Sequence, residues 1–114
     1  MEETTMAKFM AIYTGAPGSQ MPDEATIAKG MAAWQGWMQQ HAAAIVGTGG
    51  PLGKTKRVTK DGVADARNNI AAYCIVEAAD QDAAAAMFLN HPHFAIFPGD
   101  GVDIMPCLPI PGQG

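Results

Sequence analysis

The sequence is poor in charged side chains. Only 16% of its 114 residues are charged, while 48% are hydrophobic. An apolar fraction this high excludes an intrinsically disordered chain, because disordered segments lack enough apolar side chains to form a core. Since so few charges are available to solvate the surface, we expect a partner to cover part of the apolar surface.

Positive charge is scarce as well. The chain has seven Lys and Arg against eleven Asp and Glu, which gives a net charge of −4 and argues against binding to nucleic acid. No apolar run reaches the roughly 18–20 residues that a membrane span needs. The acidic, polar N-terminus does not look like a signal peptide. We therefore expect a cytoplasmic protein without membrane contact.

Cysteine and serine are nearly absent. Cys74 and Cys107 both lie in apolar, strand-like runs, so we expect two reduced core residues rather than a disulfide or metal ligands. Ser19 is the only serine and has no base near it in the sequence, which leaves hydrolase chemistry without support. The glycine-rich run 47–53 lacks the Lys-Ser/Thr of a phosphate-binding loop. We expect neither a cofactor nor a resident metal.

What the chain does contain is the pattern of one α+β domain over residues 1–114, with a core at about 6–109. Apolar periodicity and turn residues predict the elements, listed by residue number. These are strands at 8–14, 56–59, 69–78 and 102–108, a strand end or tight return at 46–52, and helices at 23–44 and 81–90.

The first predicted helix carries an apolar stripe at helical spacing. Its members are Ile27, Met31, Trp34, Met38, His41 and Ile45. Such a stripe is typical of an amphipathic helix that faces a core, and Trp37 flanks it.

The order β-α-β-β-α-β predicts a ferredoxin-like sandwich, in which two helices cover one face of an antiparallel sheet. The strands at 8–14 and 69–78 are apolar on both faces, whereas a solvated face would alternate with polar residues. We therefore expect two copies to pack through the open sheet face, which would give a homodimer of the dimeric α/β barrel type.

Short local patterns resemble the YCII-related family, which includes the DGPF group, over about residues 8–109. They are Trp34-x-x-Trp37, Gly49-Gly50-Pro51-Leu52, Lys60-Asp61-Gly62, Tyr73-Cys74-Ile75-Val76-Glu77-Ala78 and Asn90-His91-Pro92-His93-Phe94. The resemblance implies a ferredoxin-like dimer with a pocket between helices and sheet. Some members resemble dehydrochlorinases that use a helix histidine and an aspartate before a proline. Here Trp34 and His91 occupy those positions, so that dyad does not carry over.

The pair His91 and His93 is the main candidate for catalysis. Imidazole titrates near neutral pH, so a histidine in a pocket can accept and return a proton. The alternative interpretation is a helix-stop motif in which the imidazoles cap free carbonyls. A third interpretation is a zinc site completed by His41, Asp80 or Asp103, although no ligand spacing supports it.

Several residues with aromatic rings are candidates for binding a small-molecule ligand. They are Trp34, Trp37, His41, Tyr73 and Phe94. The alternative is that the tryptophans belong to the core or a dimer interface. His41 is either a core-edge residue bonded to a backbone carbonyl or a pocket residue facing His91 or His93.

A cluster of cations lies between residues 54 and 67. It includes five of the seven Lys and Arg, namely Lys54, Lys56, Arg57, Lys60 and Arg67. It is either an anion-attracting rim for a carboxylate substrate or a solvated hairpin.

Together these features predict a small-molecule enzyme that transfers protons on a small apolar or aromatic acid, as a lyase, isomerase or dehydrochlorinase. The alternative is a non-catalytic ligand-binding or regulatory dimer that serves as a scaffold.

Overall fold

The computed structural model describes residues 6–15 and 22–109. Its elements, in chain order, are β1 (Ala7–Gly15), α1 (Glu24–Gln40), β2 (Ile45–Pro51), β3 (Thr55–Thr59), β4 (Gly62–Ala66), β5 (Ile70–Ala78), α2 (Gln81–Ala86), α3 (Pro92–Ala95) and β6 (Gly99–Pro106). Ser19 lies outside the described residues. Within them, no helix is long and apolar enough to cross a membrane.

The main sheet has four strands in the order β2-β5-β1-β6, and every neighbouring pair is antiparallel. The α+β class is therefore confirmed. Side chains alternate between the two faces of a strand, and Phe9, Ala11 and Tyr13 of β1 are buried on the same face as Cys74 and Val76 of β5. The helices pack on that face, where the hydrophobic core forms.

The opposite face of the main sheet carries apolar side chains that no helix covers. Met10, Ile12, Tyr73 and Ile75 are half-buried, and Met105 is exposed. They are neighbours in the register of β5, β1 and β6. We call these five residues the open face.

Two strands lie outside the main sheet. β3 and β4 form a separate two-stranded sheet in which Thr55 pairs with Ala66 and Thr59 with Gly62. The predicted short strand is confirmed, and the turn that follows it lies at Lys60 and Asp61. Gly62, the first residue of β4, has a φ of 120° that favours glycine. The second strand was not predicted, because its sequence Gly-Val-Ala-Asp-Ala has weak strand propensity.

The predicted helix starts are confirmed. Asp23 accepts a hydrogen bond from Thr26 N (2.7 Å), and Asp80 accepts one from Ala83 N (2.7 Å), so each caps a helix N-terminus. The helix α1 ends at Gln40, before the predicted residue 44, and a turn follows it.

The second helix is shorter than predicted. It ends at Ala86 and gives way to turns that finish at Asn90, whose φ is +58°. Pro92 then occupies the first turn of α3 and His91 is its N-cap, a position that suits proline because its missing N–H has no helical partner there. The prediction that His91 ends a helix was therefore incomplete, since it also begins one.

The burial of α1 corrects the predicted stripe. Gly30 and Trp37 are buried and Trp34 is half-buried, whereas 52% of Met31 is exposed. A helix rich in Ala, Gly and Met is weakly amphipathic. Its periodicity therefore predicts which side chains face the core only to within about one residue.

The burial of the two cysteines also differs from the prediction. Both are free thiols, and Cys74 is buried as predicted. Cys107 is exposed, although its backbone N–H still donates to the carbonyl of Lys8 in β1 directly after the end of β6 at Pro106. β6 is an edge strand, a position that tolerates prolines such as Pro106.

Candidate functional site

The buried side of β1 presents a tyrosine hydroxyl to the helices. Tyr13 is 2% exposed, and its hydroxyl lies 3.3 Å from His91 Nε2 and 3.7 Å from Cys74 Sγ. Its ring stacks on Trp34, with centroids 5.1 Å apart. Tyr13 therefore connects α1, α3 and the sheet in one contact group.

His91 is held by both of its ring nitrogens. Its Nδ1 accepts a hydrogen bond from the backbone N–H of His93 at 3.0 Å, so Nδ1 carries a lone pair rather than a proton. The proton of the neutral ring is then on Nε2, which donates to the Tyr13 hydroxyl. The His91 side chain is fully buried, so its protonated nitrogen needs this internal hydrogen-bond partner.

Aromatic rings enclose His91. Trp34 and Trp37 meet the imidazole edge-on at centroid distances of 4.6 and 4.5 Å, and Phe88 stacks against it at 5.8 Å. We refer to the full set as the imidazole–aromatic cluster. Its members are Tyr13, Trp34, Trp37, Phe88, His91 and His93.

Burial sets the charge state of the cluster. Burial, with charge repulsion from the neighbouring His93 and His41 as smaller causes, lowers the pKa of His91 to about 4. Burial likewise raises the pKa of the Tyr13 hydroxyl, with Cys74 as a second cause, and raises the pKa of the Cys74 thiol. At neutral pH the imidazole of His91, the phenol and the thiol are therefore all uncharged.

His93 is held differently. Its Nε2 lies 2.7 Å from the backbone carbonyl of Thr14, and because a carbonyl can only accept, Nε2 must carry a proton. A neutral His93 then has its lone pair on Nδ1, for which residues 6–15 and 22–109 supply no hydrogen-bond partner. The side chain is 7% exposed. His93 is thus the imidazole of the cluster with a nitrogen available as a base.

A glycine gives His93 its space. A Cβ added at Gly99 would lie 2.3 Å from the carbonyl oxygen of His93 and 2.5 Å from its Nε2. No side chain fits at these distances. Gly99 begins β6, so the start of the edge strand and the position of the imidazole depend on each other.

The structure brings four of the seven predicted site residues together in the cluster, and three lie elsewhere. Trp34, Trp37, His91 and His93 are the four. His41 is half-buried at the end of α1, where its ring contacts Trp37 at 5.0 Å. The side chain of Tyr73 belongs to the open face, so the sheet separates it from the histidines. Phe94 is 38% exposed.

Phe94 lines a shallow groove beside the cluster. Its volume is about 250 Å³, and its walls are Ala85, Phe88, Leu89, Phe94, Asp100, Gly101, Val102 and Ile104. The ring of Phe88 belongs to both the groove and the cluster and separates the groove from His91. This volume is below the roughly 300–1,000 Å³ of pockets for drug-sized ligands, so the groove suits a single ring or a smaller group.

Sequence reasoning missed several residues that position the histidines. They are Tyr13, Thr14, Cys74, Phe88 and Gly99. A signal existed for Tyr13, whose hydroxyl lies on the same strand face as Phe9 and Ala11 and so needs a buried partner. Gly99 gave no such signal, because glycine before Asp100-Gly101 reads as a turn.

The described residues do not support the zinc hypothesis. Among residues 6–15 and 22–109, no three His, Cys, Asp or Glu side chains lie close enough together to hold a metal ion. His91 has both nitrogens in internal hydrogen bonds, which leaves no lone pair for a metal.

Comparison with known proteins identifies a fold. No family model matches the sequence, and no curated protein matches it. One solved structure is similar, the 5-chloro-2-hydroxyhydroquinone dehydrochlorinase TftG from Burkholderia phenoliruptrix AC1100 in complex with 2,5-dihydroxybenzoquinone. It shares 18% sequence identity and a TM-score of 0.54, over 85% of this chain and 89% of that one. The chain is therefore similar in fold to a small-molecule enzyme.

Proposed function

We propose that this protein is an enzyme that transfers protons on a small, flat, aromatic or unsaturated acid, with His93 as the base. The observation that carries the proposal is the hydrogen bond from His93 Nε2 to the Thr14 carbonyl. It fixes the tautomer and turns the lone pair to Nδ1, which is the arrangement a general base needs. The fold shared with a dehydrochlorinase agrees with this class of chemistry.

His91 has a positioning role in this proposal. Its Nδ1 binds the backbone N–H of His93, so it orients the segment that carries the base. Its own pKa of about 4 keeps it neutral at physiological pH, which removes a second positive charge from the site.

The small groove lined by Phe88 and Phe94 is the proposed binding surface for the apolar part of the substrate, and the part that meets His93 extends beyond the groove, because His93 does not line it. Two aromatic walls suit a flat ring. Asp100 at its margin is exposed and would favour a substrate whose carboxylate points away from it.

The test begins with a thermal-shift screen of small aromatic and unsaturated acids, with 2,5-dihydroxybenzoquinone among the probes. A specific ligand raises the melting temperature by mass action. Each hit is then incubated in D₂O, and NMR measures the incorporation of solvent deuterium into the ligand. We expect wild-type protein to catalyse the exchange and His93→Gln to slow it at least about 100-fold, the lower end of general-base effects.

Two outcomes of this screen would contradict the proposed enzymatic function. A panel without any hit, or exchange that survives in both His91→Gln and His93→Gln, would refute the enzymatic proposal. A thermal melt of each variant separates loss of chemistry from loss of the fold.

A second candidate function is non-catalytic binding or scaffolding. The observation that favours it is that both nitrogens of His91 are already satisfied within the protein, and that neither histidine lines the 250 Å³ groove. Ligands that raise the melting temperature without any deuterium exchange would identify this function.

We further propose a ferredoxin-like β-α-β-β-α-β arrangement with β3–β4 as an insertion, and a homodimer formed through the open face. The strand order β2-β5-β1-β6 supports the arrangement.

Uncovered apolar side chains such as Ile12 and Ile75 support the dimer, because a large exposed apolar patch marks an interaction site. Ile75→Glu is expected to give a monomer in sedimentation experiments. Membership of the YCII-related family is part of the same proposal and rests on the local sequence patterns.

A further inference from the structure

We propose that the β3–β4 hairpin is a basic arm that docks on the acidic edge of a second copy of this chain. The arm is residues 54–67, and the acidic edge is Asp80, Asp82 and Asp100. The inference rests on the proposed pairing of two copies and adds a contact that the open face does not supply.

The arm lacks packing of its own. β3 and β4 pair with each other and make no substantial contact with any other described helix or strand. Val58 and Val63 face each other across the hairpin, yet they are 73% and 67% exposed. An isolated two-stranded hairpin is at best marginally stable in water, so a surface that covers this valine pair would stabilise the arm.

Charge is divided unevenly between the arm and the rest of the chain. The arm holds five of the seven Lys and Arg but only two of the eleven Asp and Glu. The chain beyond Arg67 has no Lys or Arg at all and carries five acidic residues, Glu77, Asp80, Asp82, Asp100 and Asp103. A basic arm is therefore attached to an acidic body.

These opposite charges do not meet within one chain. In the described part of the chain, the ion pair between Lys56 and Asp65 is the only one, and it lies inside the arm. The other four cations of the arm therefore have no acidic partner there, namely Lys54, Arg57, Lys60 and Arg67. The three carboxylates of the acidic edge likewise have no basic partner there. Unpaired charges of both signs are complementary between two copies.

The acidic edge has two parts along the border strand β6, one beside Ile104 and one near the start of the strand. Gln81 Nε2 donates to the backbone carbonyl of Ile104 at 3.0 Å, which holds the start of α2 against β6. Asp80 and Asp82 flank Gln81, and Asp100 lies near the start of β6 beside the groove. All three carboxylates are on exposed residues.

The topology prevents the arm from reaching this edge in its own chain. The arm leaves the sheet beside β5, where Leu52 N bonds to the Ala71 carbonyl, and β2 and β6 are opposite edges of the sheet. In a pair of open faces with a two-fold axis along the strands, β2 of one copy lies over β6 of the other. Packed sheets are about 10 Å apart and a five-residue strand spans about 17 Å, so each arm is long enough to reach the partner's edge.

The test uses two charge-reversed double variants. The first reverses the arm, Arg57→Glu with Lys60→Glu, and the second reverses the edge, Asp82→Lys with Asp100→Lys. Each variant alone is expected to dimerise at least about tenfold more weakly than wild type at low salt, because both symmetric contacts become repulsive. An equimolar mixture is expected to regain the wild-type affinity, since every arm then meets an edge of opposite charge.

Sedimentation velocity across a concentration series measures these affinities, and Lys29→Glu on α1 controls for a change of net charge. A dimer of the arm variant within twofold of wild type, or a mixture that fails to recover, would overturn the arm proposal and leave the open-face dimer standing. Wild-type protein that stays monomeric would overturn both. Wild-type binding to polyphosphate that the arm variant loses, with an unchanged dimer, would assign the arm to an anionic ligand instead and overturn the docking.

Discussion

The imidazole–aromatic cluster and the arm are opposites in one small chain. In the cluster, Tyr13 and His91 are buried and the hydroxyl and both imidazole nitrogens of this pair have partners. In the arm, Val58 and Val63 are exposed, and only Lys56 and Asp65 form an ion pair. The comparison shows that the body of the protein is stabilised by its own contacts, whereas the arm is stabilised mainly by its ladder hydrogen bonds.

This difference separates two kinds of function. A site that holds a proton in one place needs fixed hydrogen bonds and exclusion of water, which the cluster has. A docking element needs exposed charge and exposed apolar side chains, which the arm has.

Truncation of a cluster tryptophan should have the largest effect. Trp37 packs against Phe88 and His91, and its Nε1 donates to the Met87 carbonyl at 2.8 Å. Trp37→Ala is expected to lower the free energy of unfolding by about 3–5 kcal/mol. Val58→Ala in the arm is the contrasting variant, with an expected change within about 0.5 kcal/mol in the monomer. Urea unfolding measures both, and equal costs would abolish the distinction between the regions.

The second-largest loss of stability is expected from removal of the Tyr13 hydroxyl. Tyr13→Phe leaves the Nε2–H of His91 buried without its acceptor, which is expected to cost about 1–3 kcal/mol of unfolding free energy. Tyr73→Phe on the open face changes the same group at a half-buried position and should cost about 0.5 kcal/mol or less. Chemical denaturation of the two variants compares them, and a larger loss for Tyr73→Phe would contradict the role given to Tyr13.

Acid should weaken the cluster before it affects the arm. The pKa of His91 is about 4 in the folded protein against 6.5 ordinarily, so the unfolded chain binds its proton first as pH falls. The stability that neutral His91 provides is complete above pH 6.5 and is lost as pH falls from 6.5 towards 4. Between pH 7 and pH 5 the expected loss is on the order of 2 kcal/mol.

Denaturant titrations at each pH measure this loss in wild type, in His91→Gln and in His41→Gln. The dependence should largely disappear in His91→Gln and persist in His41→Gln. An unchanged slope in His91→Gln would mean that another group is responsible.

Two glycines of α1 offer the smallest and best matched test. A Cβ at Gly36 meets nothing within 4 Å, so Gly36→Ala should stabilise the helix by about 0.5–1 kcal/mol. A Cβ at Gly30 would lie 2.4 Å from the ring of Phe97, so Gly30→Ala gains the same propensity but must displace that ring. We expect a net loss of about 1 kcal/mol. Thermal melts compare the variants, and a stabilising Gly30→Ala would show that the packing on α1 is loose.

Local signals predicted much of the fold. The two predicted helices begin where expected, with Asp23 and Asp80 as their caps, and the two central strands lie within one residue of the prediction. These features depend on neighbours a few residues away. The cluster depends on Tyr13 and His91, which are 78 residues apart, and no periodicity connects them.

The candidate site was only partly predictable for the same reason. The motif around His91 and His93 identified the pair, but the roles of the two rings follow from the Thr14 carbonyl and the Tyr13 hydroxyl on a distant strand. The sequence does not show which side of the sheet Tyr73 faces, because both faces of β5 are apolar. Only the pairing of β5 with β1 reveals which face meets the helices.

The most direct measurement of the central claim, that the body is self-sufficient and the arm needs a second copy, is amide hydrogen exchange at low and high protein concentration. We predict slow exchange in β1 and β5 at both concentrations, because opening them requires the core to open. Amides of β3 and β4 should exchange rapidly in dilute protein and become protected as copies associate. Equal protection of the arm at all concentrations, or exchange in β1 as rapid as in the arm, would contradict the account.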